Sequence, residues 1–219
     1  MSKIDVILPV HNGERYLAEA LSSLLAQSHR PDDIWVIDDG STDGTAQVAA
    51  QFPVHYHCQS QSGAAAARNR GLELSHHPLV AFLDADDLWL PDKLELQLSS
   101  LGPEVELVFT LVEEFLSPEL DPNHPYLVRT EPMPGKLPST LLARRRLFER
   151  VGPFATGWKV GEFIDWYARA QEAGATVTMV DQVLVRRRIH RTNQGITEGD
   201  ARQDFARILG GVLRRRRQT

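Results

Sequence analysis

Asp84, Asp86 and Asp87 stand in the stretch Phe82-Leu-Asp-Ala-Asp-Asp, between an apolar run and Trp89-Leu-Pro, which reads as the start of a helix. Carboxylates gathered at a strand end are hard oxygen ligands suited to Mg2+ or Mn2+, and a cation held there can carry a diphosphate. Without a cation they repel one another. An isolated Asp-x-Asp is more often a solvated turn with Asp87 or Asp92 as a helix cap, so the reading depends on its surroundings. A second pair, Asp38 and Asp39, closes another apolar run. A carboxylate there can accept hydrogen bonds from a base N–H or ribose hydroxyls, or can form an Asx turn. Arg68, near a helix start, can neutralise phosphate, although a lone helical arginine is usually solvated. Glu162 and Asp165 are three residues apart and can share a helix face. Either can act as a general base, or both can simply favour a helix N-terminus. Trp158, Trp166 and Tyr167 flank them and suit stacking on a flat ligand or core packing equally.

The elements that must position these groups follow from periodicity. Ile4 to Val10 reads as a buried strand, His11-Asn-Gly as a loop, and Leu17, Ala20, Leu21, Leu24 and Leu25 recur at helical spacing. Ile34 to Asp38 is a second strand, Asp39 to Gly44 a turn, and Thr45 to Phe52 a helix. A short strand at Val54 to Cys58, a helix at Ala64 to Leu74 and a strand at Leu79 to Leu83 follow. Alternating strands and helices predict an α/β fold with a mostly parallel sheet and helices on both faces, and such sheets bind ligands beyond their strands' carboxyl ends. The loops His11 to Glu14, Asp38 to Asp43 and Asp84 to Asp87 converge there. The second half, punctuated by Pro118, Pro122, Pro125, Pro132, Pro134 and Pro138, is less periodic. It predicts a helix near Ser139 to Arg150, another at Glu162 to Ala173, and strands near Val177 and at Val183 to Ile189.

With 219 residues, 42% hydrophobic and 24% charged, the chain fits one domain, 1–204. Residues 205–219, ending in Arg214 to Arg217 against a net charge of −5, read as a basic tail or a helix for peripheral membrane contact. The single cysteine, Cys58, and a start without signal-peptide character favour a reducing, cytoplasmic setting, peripheral at the inner membrane face if the tail binds lipid. No apolar run reaches the roughly 20 residues of a membrane span. Nucleic-acid binding would rest on the terminal arginines alone, and none is expected. Neither G-x-G-x-x-G nor G-x-x-x-x-G-K-[ST] follows the first strand, which sets dehydrogenase and P-loop readings aside.

Leu8-Pro-Val-His-Asn-Gly-Glu, Ile37-Asp-Asp-Gly-Ser-Thr-Asp-Gly-Thr, Ala67-Arg-Asn-Arg-Gly and Phe82-Leu-Asp-Ala-Asp-Asp, in this order, together resemble the family 2 glycosyltransferases of GT-A, Rossmann-like fold. Weaker similarity runs through Arg150-Val-Gly-Pro-Phe, the Glu162 helix and Arg188-Ile-His. The resemblance implies that Pro9, Val10 and Glu14 border the nucleotide, Asp39 contacts the base, Arg68 lies near base or phosphate, and Asp84 meets ribose and sugar. It makes Asp86 a metal ligand, completed by His190, with Mn2+ or Mg2+ as cofactor. The implied reaction moves a sugar from a nucleotide sugar, a UDP-sugar by preference, to an acceptor hydroxyl with inversion. The resemblance divides the domain into a nucleotide-sugar-binding half, 1–100, and an acceptor half, 101–204, and leaves the acceptor unspecified: a glycan, a lipid, a small molecule or a peptide. One departure stands out: aligning Arg169 with the family's helix arginine puts Phe163 where an aspartate is usual. The base then falls to Asp165, placed slightly ahead, or Glu162. Two alternatives compete: a nucleotide-sugar-binding module without transfer activity, which Phe163 motivates, and a sugar nucleotidyltransferase, which would carry a glycine-rich basic loop where Pro9 to Glu14 has none.

Overall fold

A computed structural model describes residues 3–120, 128–129, 131–158, 160–191, 193 and 210–211. The basic segment therefore lies almost wholly outside the described residues. The elements run β1 (Ile4–Val10), α1 (Leu17–Leu25), β2 (Asp33–Asp38), α2 (Thr45–Ala49), β3 (His55–Cys58), α3 (Ala64–Leu74), β4 (Leu79–Phe82), β5 (Leu88–Trp89), α4 (Lys93–Ser100), β6 (Leu107–Leu116), β7 (Met133–Gly135), β8 (Leu142–Arg144), α5 (Arg145–Val151), α6 (Glu162–Glu172) and β9 (Val177–Ile189).

Among the described residues one nine-stranded sheet takes the order β3-β2-β1-β4-β8-β6-β9-β5, with β7 beside β6. Its long ladders, β1 with β2 and β6 with β9, are parallel. The antiparallel ladders involving β5, β7 and β8 are only two or three residues long. Strand alternation sorts the core into two layers. Ile4, Val6, Leu8 and Val10 of β1, with Leu79 and Ala81 of β4, face α1 and α4. Ile7, Val80 and Phe82 face α3, α5 and α6, where Phe148, Phe154, Phe163 and Trp166 meet. Gly71 lets α3 lie directly on β1, since a Cβ there would stand 2.4 Å from Ile7 Cγ2.

Three expectations are corrected. The helix expected over Ser139 to Arg150 divides into a 3-10 turn at Pro138–Thr140, the strand β8 and the helix α5, because Leu142 and Ala143 complete the sheet between β4 and β6. Trp89-Leu-Pro does not open a helix: Leu88 and Trp89 pair with Arg186 and Val185 of β9 before α4 begins at Lys93. The two late strands are one thirteen-residue strand, β9, which absorbs extra residues at register shifts opposite Thr110, Leu111 and Val112.

Candidate active site

The carboxyl ends of β1, β2 and β4 carry the three loops anticipated from the sequence. Pro9 and Val10 belong to β1 itself and are buried, pairing with Ile37 and Asp38. Proline is tolerated here because β1 pairs with β4 only from Ile4 to Ile7, so the missing N–H of Pro9 falls beyond the last pair on that side. Glu14 Oε2 accepts from Gly44 N at 2.6 Å, and Asp43 Oδ2 accepts from Glu14 N at 3.1 Å, which locks the first loop to the second. His11 Nε2 accepts from Gln61 and Asn12, so its Nδ1–H donates to Asp39 O at 3.0 Å.

Asp38 and Asp39 are both buried. Asp38 accepts from Ser41 N and Tyr56 Oη, and burial followed by this carboxylate pushes the Tyr56 phenol upward. Asp39 accepts from Gln59 Nε2, Ser62 N and Gly63 N at 2.7–2.9 Å. It braces the loop between β3 and α3 and still has lone-pair capacity, since a carboxylate offers about four acceptor positions.

The centre of the site is Arg68. Its guanidinium, 4% exposed, donates from Nη2 to Asp84 Oδ1 at 2.6 Å and from Nη1 to Glu162 Oε1 at 2.5 Å. Burial alone would lower its pKa, but Asp84 and Glu162 together hold it above its ordinary value. Its Nε is buried without a partner among the described residues. Arg68 thereby joins α3, the β4–β5 loop and the start of α6.

Asp86 Oδ2 lies 2.8 Å from His190 Nε2, and Asn193 Nδ2 reaches the same oxygen at 3.4 Å. Arg188 donates from Nε to Asp86 O and from Nη2 to Glu19 Oε2. Asp87 is buried and accepts from Arg188 N and Ser139 Oγ. Burial first, then the charges of Asp86 and Asp84, push its carboxyl well above the usual range. Excess negative charge with one imidazole nearby is a donor set that fits a divalent cation of the Mn2+ type. The next strand obeys its own alternation: Arg186 and Arg188 share a face over Phe115, while Arg187 turns to Glu114.

On α6 the helix phase decides what each residue can reach. Glu162 faces Arg68, Asp165 Oδ2 accepts from Arg169 Nε at 2.9 Å, and Phe163 is buried among Phe109, Phe154, Trp166 and Tyr167. Trp166 and Tyr167 are thus committed to packing. Sequence reading did not single out Ser139, Glu19, Tyr16 or Asn193. Ser139 Oγ accepts from Asp84 N while donating to Asp87; its position in the proline-punctuated half carries no sequence signal.

The mostly parallel sheet flanked by helices, with acidic loops beyond its strands, is the GT-A fold, shared with known transferases. The glycosyl transferase family 2 model matches residues 5–159, and the chain belongs to that family. The glycosyltransferase AglE of Haloferax volcanii is 29% identical over 198 residues, which are 83% of this chain and 65% of AglE. A stretch of 101 residues, 43% of this chain and 40% of the relative, is 42% identical to TuaG of Bacillus subtilis, a glycosyltransferase provisionally assigned to teichuronic acid biosynthesis. The first Rickettsia relatives match over 17% of their own length, so the chain spans a minor part of them. Among solved structures, S. aureus TarS 1–349 in complex with UDP-GlcNAc superposes with a TM-score of 0.74 at 20% identity, covering 96% of this chain and 65% of that one. The mannosyltransferase PcManGT from Pyrobaculum calidifontis, in complex with GDP-Man and Mn2+, gives 0.72 at 19% identity, covering 97% and 64%. At these identities the likeness concerns the fold. Among the described residues no helix is long and apolar enough to cross a membrane.

Proposed function

We propose that this chain transfers a sugar from a nucleotide sugar, a UDP-sugar by preference, to an acceptor hydroxyl with inversion at the anomeric carbon. The observation that carries the proposal is Arg68, which draws Asp84 of the donor loop and Glu162 of the second half to one buried guanidinium. Asp86 and His190 would hold Mn2+ or Mg2+, whose charge would stabilise the departing diphosphate. Asp39, Glu14 and the backbone of Pro9 and Val10 border the space for base and ribose. Arg68 can exchange a carboxylate for an anionic donor and still use its unpartnered Nε.

Inversion in one displacement needs a base near the acceptor hydroxyl. Glu162 is the better candidate on geometry: its carboxylate already lies within the Arg68–Asp84 cluster, whereas Asp165 is drawn along the helix to Arg169. When donor binds and Arg68 turns to it, Glu162 is released to accept a proton. The free Cys58 suits a reducing, cytoplasmic location.

A second reading, a nucleotide-sugar-binding module without transfer, is favoured by the single observation that Phe163 fills the core where an aspartate is usual. Calorimetric titration with UDP-, GDP- and other nucleotide sugars, with and without Mn2+, separates the outcomes when followed by a donor-hydrolysis assay. Cation-dependent binding of one donor together with slow hydrolysis supports the transferase. Binding without any turnover supports the module, and no binding of any nucleotide overturns both.

A further inference from the structure

At the opposite, amino-terminal end of the same strands stands a second cluster of metal-type ligands. Asp33 opens β2 and Asp38 closes it, so the cluster lies about 16 Å along the strand from the donor loops. His77 Nε2 is 2.9 Å from Asp33 Oδ2, and His55 Nε2 is 2.9 Å from Asp33 Oδ1. The rings of His76 and His77 stand with centroids 4.5 Å apart. Ligand atoms of Asp33, His76 and His77 all lie within 4.8 Å of one another.

We propose that Asp33, His76 and His77, with His55 alongside, bind a transition-metal cation of the Zn2+ class as a clasp across the amino ends of β3, β2 and β4. Imidazole and carboxylate together suit Zn2+, Cu2+ or Ni2+ rather than Mg2+. Two such ligands on one tetrahedral ion stand about 3.4 Å apart, so the side chains must draw together by up to about 1.4 Å from their present spread within 4.8 Å. The backbone that presents them is already fixed. Asp5 Oδ2 accepts from His76 N at 2.9 Å and His77 N at 2.6 Å, and Arg145 Nε donates to His77 O at 2.6 Å. The Arg145 charge is itself met by Asp5 at 2.8 Å, so the carboxylate of Asp33 keeps the surroundings favourable to a cation. Trp35 stacks on His55 with centroids 4.4 Å apart, which places a natural reporter at the site.

The test uses the untagged chain in an Asp86→Ala background, so that the donor loop does not contribute to cation binding. The inference is independent of the transferase reading. Zn2+ titration by calorimetry is expected to show one site, weakened at least tenfold by Asp33→Asn and by His76→Ala. His76 is exposed, so that variant should fold, and circular dichroism verifies both variants. Cu2+ should quench a fraction of tryptophan emission that Trp35→Phe removes. At about a hundred times Kd, Zn2+ should raise Tm by roughly 5–10 °C. No Zn2+ binding, or binding that either variant leaves unchanged, overturns the site.

Discussion

His190 Nε2 lies 2.8 Å from Asp86 Oδ2, although the two residues are 104 positions apart in the chain. The contact is held from behind. His190 N donates to Asn193 Oδ1, Asn193 Nδ2 donates to Arg188 O, and the Tyr16 ring lies 4.9 Å from the imidazole. If this pair holds the cation, His190→Ala should weaken Mn2+-dependent donor binding by 10–100-fold while leaving cation-independent binding unaltered. Calorimetry with and without Mn2+ reads the difference, and equal loss in both conditions would count against a metal role.

Glu162→Gln should lower kcat by 10²–10⁴-fold with donor affinity changed little, because the amide keeps the shape but cannot take a proton. Asp165→Asn should lower kcat by less than tenfold, its main effect being loss of the Arg169 pair. Steady-state kinetics on both variants checks the assignment, and the reverse ranking would restore Asp165 as base.

Arg68 separates two carboxylates that would otherwise face each other in a buried setting. Arg68→Met should destabilise the protein by about 2–3 kcal/mol, at the lower end for a broken buried pair since Asp84 is partly exposed. Urea unfolding midpoints of the parent and the variant measure this.

Glu119 gives a pH effect. Burial works to raise its carboxyl, but hydrogen bonds from Ser117 and Tyr16 outweigh it and bring the pKa from the ordinary 4.5 to about 2. A depressed folded-state value means stability that is complete above about pH 4.5 and lost as pH falls through 2. Glu119→Gln should cost about 1–2 kcal/mol at pH 7, less than the shift alone implies because one edge of the carboxylate meets water. The difference from the parent should vanish near pH 2 in urea titrations.

The donor half was legible because its signals are local. β1, β2 and β4 announce themselves as short apolar runs and α3 by its helix-forming residues, and the acidic loops must then meet at the strand ends. What the sequence hid is set by partners far along the chain. β8 is strand-like only because β4 and β6 leave a gap for it, and two residues of β5 depend on β9. Helical spacing allowed Glu162 and Asp165 to share a face but did not say which would meet Arg68 and which Arg169. Glu19 and Arg188, 169 positions apart, could not be paired from composition or period.

β9 makes one demand on the whole lineage of such sequences. The strand pairs in register with β6 from Glu113 to Leu116 and ends by delivering Arg188 and, just beyond, His190. A single inserted residue before Arg186 would swap the two faces, sending Arg187 inward and Arg188 toward water. Substitutions here change contacts one at a time, whereas an insertion or deletion would unmake the site all at once. Tolerated length variation between relatives should therefore gather upstream, near the register shifts opposite Thr110 to Val112, where β9 already carries surplus residues.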